Sequence, residues 1–249
     1  MALMKLSIVI PAYNEALNLP DTLPAFYAEL AINKIDHEIL VINDNSSDNT
    51  LEVLQQLQAT IPSLVYITNA PPFNGFGYAV RKGLENFSGD CVAIVMADLS
   101  DHPKDLVRFY QTFVAQNVDC VFGSRFIKGS SVKDYPKSKL YLNRFFNQGI
   151  NFVFRLHYND CTNAFKLYSR KTIEGIKPFL SPHFNLTVEL PLKAIVRGYS
   201  YTILPNSWLN RKHGTSNLKI KEMGSRYFFI VLYCFIEKYF SRGDFKKKW

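Results

Sequence analysis

The chain has 249 residues, 47% of them hydrophobic and 20% charged, a balance that buries a core and excludes intrinsic disorder. Its 12 glycines and 12 prolines exclude collagen-like and low-complexity architectures, and the four cysteines (Cys91, Cys120, Cys161, Cys234) form neither a CxxC pair nor a zinc-finger spacing, so they read as reduced packing residues. The net charge of +8 hides an asymmetry: residues 1–120 carry 6 Lys+Arg against 14 Asp+Glu, whereas residues 121–249 carry 23 against 7, which directs the second half toward phosphates or an anionic surface.

Residues 5–10 (KLSIVI), ended by Pro11, read as a buried first strand and not as a leader. Residues 16–30 have helical spacing through Leu19, Leu23, Phe26 and Leu30, and residues 38–42 (EILVI) form a second buried strand. That strand runs into Asn43-Asp44-Asn45-Ser46-Ser47-Asp48, a polar turn able to cap a helix over 50–59. A third strand at 64–67 precedes a loop containing Pro71, Pro72, Gly75 and Gly77. A helix over 78–86, a strand at 91–96, a helix over 103–116 and a strand at 119–122 follow. Continuous apolar strands alternating with helices predict an α/β domain with a mostly parallel central sheet, whose ligands sit beyond the carboxyl ends of the strands. Beyond Gly123 the pattern predicts helices over 138–157 and 186–196, a strand at 199–204, a turn at 210–214 and an aromatic helix over 226–240. The longest apolar run, 227–236, is ten residues, half of the ~20 needed to span a bilayer as a helix.

Polar clusters fall at the strand ends. Asp98, with Ser100 or Asp101, offers hard oxygen donors for Mg²⁺ or Mn²⁺, although a turn capping the following helix explains the same residues. Asn43 and Asp44 suit a base edge or a ribose, and also suit a simple turn. Gly75-Phe76-Gly77 is a weak phosphate-loop pattern. Arg125, Arg144, Arg211, Lys212 and His213 are the cations nearest turns, and a guanidinium fork suits phosphate. His157 and His183 receive no role.

Taken together and in order, these segments resemble family 2 of the inverting glycosyltransferases, with the GT-A (Rossmann-like) fold. They resemble most its dolichol-phosphate mannosyltransferase and polyprenyl-phosphate sugar transferase branch. The resemblance rests on Ile8-Val9-Ile10-Pro11-Ala12-Tyr13-Asn14-Glu15, on Val41 through Thr50, on Asn74-Gly75-Phe76-Gly77-Tyr78-Ala79 with Gly83, and on Ala97-Asp98-Leu99-Ser100-Asp101. Gly123-Ser124-Arg125-Phe126, Asp160 through Tyr168 and Asn210 through Ser216 extend it over roughly residues 5–220. It implies that Pro11, Tyr13 and Glu15 hold base and ribose, that Asn43 and Asp44 read the base edge, and that Gly77 and Ser216 belong to the donor-binding loops. It further implies that Asp98 and Ser100 hold the metal, with Asp101, three residues past Asp98, the candidate to compensate for the missing first aspartate; Arg125 and Arg211 serve the diphosphate or an acceptor phosphate, and Asp98 counts with them as catalytic. Two departures stand out: Met96 occupies the first position of the metal-binding Asp-x-Asp, and Asn43 replaces one residue of an acidic pair.

The implied activity is inverting transfer of a hexose from a UDP- or GDP-sugar to a polyprenyl phosphate, by a protein held peripherally at the cytoplasmic face of a membrane. A lipid phosphate is already an anion and needs no strong base. A saccharide hydroxyl, the alternative acceptor, requires one, for which Asp160 and Glu189 are the candidates. A non-catalytic nucleotide- or lipid-binding homologue is the further alternative, prompted by Met96. Residues 1–221 are expected to form the catalytic domain and residues 222–249 an amphipathic, basic membrane-surface segment, helped by the helix over 138–157 and by Lys246, Lys247 and Lys248. No nucleic-acid-binding pattern occurs, and homo-oligomerisation stays open.

Overall fold

The computed structural model describes residues 4–211, 213–214 and 220–247, without the side chains of residues 138, 139 and 220–223. The first half alternates strictly: β1 (Leu6–Ala12), α1 (Leu19–Ile32), β2 (His37–Asn43), α2 (Thr50–Gln58), β3 (Leu64–Thr68), α3 (Phe76–Asn86), β4 (Cys91–Ile94), α4 (Pro103–Gln116) and β5 (Cys120–Ser124). Pro20 in the first turn of α1 fixes a start three residues later than the apolar spacing alone predicts, because proline is pre-organised for the opening turn of a helix. The second half adds β6 (Ser131–Lys133), α5 (Lys137–Phe154), β7 (Lys166–Ser169), α6 (Arg170–Gly175), α7 (Leu186–Val196), β8 (Tyr201–Pro205), β9 (Ser207–Leu209) and α8 (Ile220–Phe240).

Among the described residues the main sheet has seven strands in the order β3-β2-β1-β4-β7-β5-β8. All neighbours are parallel except β7, which runs antiparallel to both β4 and β5. A separate parallel ribbon of β6 and β9 crosses near the carboxyl edge, tied to the main body by a bridge between Asp101 and Trp208. The central strands are buried on both faces, which is why they read as unbroken apolar runs. Leu6, Ile8 and Ile10 of β1 pack with α1 and α4, while Val9 packs with α3, α5, α7 and α8 on the opposite face, the alternation a pleated strand imposes.

The strand β7 was not predicted. A lysine heads it, and Lys166 is wholly buried, its ammonium donating to the carbonyls of Cys161 (3.0 Å), Thr187 (3.1 Å) and Asn163. The boundary expected at residue 221 falls inside α8. That helix contributes Ile230 and Cys234 to the core, and its Glu237 forms a bidentate pair with Arg197 (2.8 and 2.9 Å). Lys247, expected to face lipid, donates to Asp119 at 2.8 Å. No helix among the described residues is long and apolar enough to cross a membrane.

Candidate active site

A cleft of about 1140 Å³ opens beyond the carboxyl ends of β1, β2 and β4, where such sheets bind ligands. Its first wall is built from two turns stapled together. Asn14, in the left-handed region at φ 56°, accepts the Ser47 amide on its side chain (2.8 Å) and donates its own amide to the Ser46 hydroxyl (3.0 Å). The Thr50 hydroxyl accepts the Glu15 amide at 3.0 Å. These bonds fix Pro11, Tyr13 and Glu15 along the cleft.

Of the Asn43–Asp44 pair, only Asp44 lines the cleft. Asn43 is buried and its side-chain oxygen accepts the Ser46 amide at 3.2 Å, so it shapes the turn. Asp44 accepts from Asn69 (2.9 Å) and from the Gly75 amide (2.6 Å) at the start of α3. Burial pushes the Asp44 carboxyl above the usual range, against the lowering effect of those two donors. Gly77 does not line the cleft: a Cβ there would lie 2.4 Å from the Pro182 carbonyl carbon and 2.5 Å from the His183 nitrogen. Its role is the close approach of α3 to the 182–184 segment, which stacks Phe76 on Phe184 at 4.4 Å. Ser216 lies outside the described residues.

The second wall carries the residues assigned to a cation. Asp98 accepts the Ser100 amide on Oδ1 (3.1 Å) and the Arg211 guanidinium on Oδ2 (2.6 Å). The same Arg211 nitrogen stands 3.6 Å from Glu15 Oε1. Glu15 in turn accepts from Asn18, and burial pushes its carboxyl up. Asp101 lies beneath, turned toward the Met96 amide (3.3 Å). Burial, reinforced by Asp98, raises its carboxyl to about 7. Asp98, Ser100 and Asp101 all line the cleft, Asp101 nearly buried with one carboxylate oxygen on the Met96 amide, and Met96 brings no charge. Among the described residues no group of three or more His, Cys, Asp or Glu converges as a ligand set. The residues fit a divalent cation that takes one carboxylate from the chain and its remaining ligands from phosphate and water.

Arg125 reaches the cleft from the end of β5, locked by Asp160. The guanidinium donates to both carboxylate oxygens (2.9 and 2.8 Å) and the Arg125 amide donates to one of them (2.9 Å). Both Asp160 oxygens are therefore committed, and the carboxylate is wholly buried. Glu189 is equally sequestered, accepting the amides of Leu180 and Ser181 (each 2.7 Å) and pairing with Lys193 (2.6 Å). Neither candidate base faces the cleft.

Several lining residues escaped the sequence reading: Tyr135, Asn143, Thr162, His183, Trp208 and Arg226. They come from five separate segments, so no local spacing announces them. Thr162 alone sat inside a recognised motif; it donates to Asn143 at 2.5 Å, and Asn143 donates to the Tyr135 hydroxyl at 3.1 Å. At the mouth, Leu142 and Phe146 of α5 meet Tyr227 and Phe228 of α8, with the Phe146 and Tyr227 rings 5.2 Å apart.

A mostly parallel sheet with carboxylates and arginines gathered at its carboxyl edge is the architecture of a GT-A glycosyltransferase. The fold matches the crystal structure of glucosyl-3-phosphoglycerate synthase from Mycobacterium tuberculosis with a TM-score of 0.71 at 15% identity, covering 93% of this chain and 78% of that one. Residues 7–176 match the family model Glycosyl transferase family 2, and the chain belongs to that family of transferase enzymes. It is 28% identical over 226 residues to a dolichol-phosphate mannosyltransferase of Pyrococcus furiosus, covering 88% of this chain and 60% of the relative's length. It is also 28% identical over 221 residues to a polyprenol monophosphomannose synthase of Mycolicibacterium smegmatis, covering 85% of this chain and 80% of that protein.

Proposed function

We propose that this glycosyltransferase moves a hexose from a UDP- or GDP-sugar to a polyprenyl phosphate with inversion, working peripherally at the cytoplasmic face of a membrane. The observation that carries the acceptor is the pair of apolar stripes at the cleft mouth. On α5, Phe145 and Phe152 are 75% and 86% exposed, one heptad apart; on α8, Phe228, Leu232 and Ile236 recur every fourth residue and all are exposed. The two helices are held together by the Tyr239 hydroxyl donating to the Val153 carbonyl (2.9 Å) and by Lys238 donating to the Phe154 carbonyl. An apolar stripe flanked by Arg144, Arg155 and Lys238 is the composition of helices lying in a membrane interface. The names of the Pyrococcus and Mycolicibacterium relatives favour the same acceptor.

The donor would lie with its base against Asp44 and the segment carrying Tyr13, and its diphosphate toward Asp98 and Arg211. A divalent cation held by Asp98 and Ser100 would supply charge neutralisation for the departing diphosphate, the chemistry implied by the Mn²⁺- and UDP-bound crystal structures of the fold relative. Arg211 adds a positive charge on that side. Arg125, fixed by Asp160, presents its guanidinium to the acceptor phosphate, whose own oxygen attacks the anomeric carbon in line with the leaving group. No base is required of the chain for that step, which accords with the sequestration of Asp160 and Glu189.

The test is a transfer assay offering UDP- and GDP-hexoses to vesicles that carry a polyprenyl phosphate and, in parallel, to soluble saccharides. Label recovered in the organic phase as a lipid-linked hexose supports the proposal. Transfer to saccharides alone overturns the acceptor, and no transfer from any donor favours a non-catalytic homologue.

A further inference from the structure

Arg211 is placed where a cation would act. Its guanidinium touches Asp98 Oδ2 at 2.6 Å, and Asp98 Oδ1 is engaged by the Ser100 amide at 3.1 Å. A second carboxylate, Glu15, flanks the same guanidinium nitrogen at 3.6 Å. A divalent ion bound to Oδ2 at about 2.1 Å would stand within about 5 Å of that nitrogen, with two like-signed centres sharing one oxygen. The usual relief, a second ligand carboxylate at the position before the Asp98 pair, is absent because Met96 stands there. Both Asp98 oxygens are thus already engaged within the chain, Oδ2 by the chain's own cation.

We infer that Arg211 and a divalent cation exclude each other at Asp98 in the nucleotide-free enzyme, and that a nucleoside diphosphate admits the cation by placing anionic oxygens between the two. The inference rests on the proposed nucleotide-sugar donor and adds an order to its binding: the cation arrives with the diphosphate and not before it. A guanidinium and a metal ion can both surround a diphosphate, which carries enough charge and enough oxygens for each. Arg211 then has two partners in turn, Asp98 and Glu15 in the empty cleft and the diphosphate in the loaded one. By linkage, the cation raises nucleotide affinity by the same factor as the nucleotide raises cation affinity.

Manganese binding followed by the electron paramagnetic resonance signal of free Mn²⁺ reads this directly, without turnover. Wild-type enzyme is titrated alone and with saturating UDP or GDP, beside Arg211→Met and Asp98→Asn, with a melting curve to establish that each variant is folded. The expected result is weak Mn²⁺ binding to the wild type alone, at least a hundredfold gain with the nucleotide, at least a tenfold gain in nucleotide-free affinity for Arg211→Met, and loss of Mn²⁺ binding in Asp98→Asn. Equal Mn²⁺ affinity with and without nucleotide, or no gain in folded Arg211→Met, overturns the inference. Should Arg211→Met not fold, Arg211→Gln, which removes the charge but keeps a hydrogen-bond donor toward Asp98, takes its place with the same expected gain. Calorimetry with UDP and GDP in the absence of metal separates the two levels: nucleotide binding with no effect on Mn²⁺ defeats only the exclusion, whereas no nucleotide binding under any condition defeats the donor reading.

Discussion

Asp160→Asn removes the charge that holds Arg125 while leaving an oxygen in place for the Arg125 amide. In the folded protein the guanidinium makes two bonds to that carboxylate, at 2.9 and 2.8 Å, and both groups are buried, so the variant strands an uncompensated cation. Breaking a buried pair from one side costs about 3–5 kcal/mol, a large share of a total stability of about 5–15 kcal/mol. For a chain of this size that corresponds to a fall in melting temperature of roughly 10 °C. Arg125→Met strands the carboxylate instead and carries a similar penalty. Combining the two removes both charges, and the surviving asparagine oxygen still accepts the backbone amide, so the double variant should be more stable than either single one. Urea unfolding of the four proteins closes the cycle. Costs that simply add, or a loss below about 1 kcal/mol for Asp160→Asn, would refute the claim that Asp160 serves to position Arg125.

Three further changes probe other parts of the cleft and its mouth. Gly77→Ala puts a methyl 2.4 Å from the Pro182 backbone and should cost about 1–3 kcal/mol in a thermal melt while separating Phe76 from Phe184; an unchanged melt contradicts the close approach. Phe145→Glu and Phe228→Glu alter exposed positions, so stability should move by less than about 0.5 kcal/mol while flotation with anionic vesicles falls sharply; flotation equal to wild type removes the two stripes as the membrane face. Asp101 has its carboxyl raised by burial from 3.8 to about 7, so the folded state holds its proton more tightly than the unfolded chain. Its contribution is complete at low pH and declines as pH rises through that window. Asp101→Asn, which mimics the protonated acid, should therefore gain stability relative to wild type as pH rises from about 4 to about 7. A difference independent of pH would contradict the assignment.

The first half of the fold was legible because β1, β2 and β4 are buried on both faces and their helices follow without interruption, leaving runs such as SIVI and EILVI that admit one reading. Asp44, Asp98 and Arg125 were legible as cleft residues for the same reason: each stands just past a strand, where topology fixes the position. What failed was information that only tertiary contact supplies. Lys166 at the head of β7 looks polar in sequence, yet three carbonyls satisfy its ammonium inside the protein. Glu189 and Asp160 have the chemistry of a base, and only their partners Lys193 and Arg125 reveal that both are occupied. Gly77 resembled a phosphate-loop glycine, and the Pro182 backbone against it shows a packing requirement. The aromatic helix was recognised as amphipathic, but burial of Ile230 and Cys234 on one side and exposure of Phe228 and Ile236 on the other could be assigned only once α7 and α5 were in place.

The most direct test of the cleft as a nucleoside diphosphate site is a crystal of the enzyme grown with Mn²⁺ and either UDP or GDP. The diphosphate should be found between Asp98 and Arg211, with Arg211 released from Asp98 and the base beside Asp44. A nucleotide bound elsewhere, or a cleft that stays empty with the Arg211–Asp98 contact intact at saturating nucleotide, would contradict it.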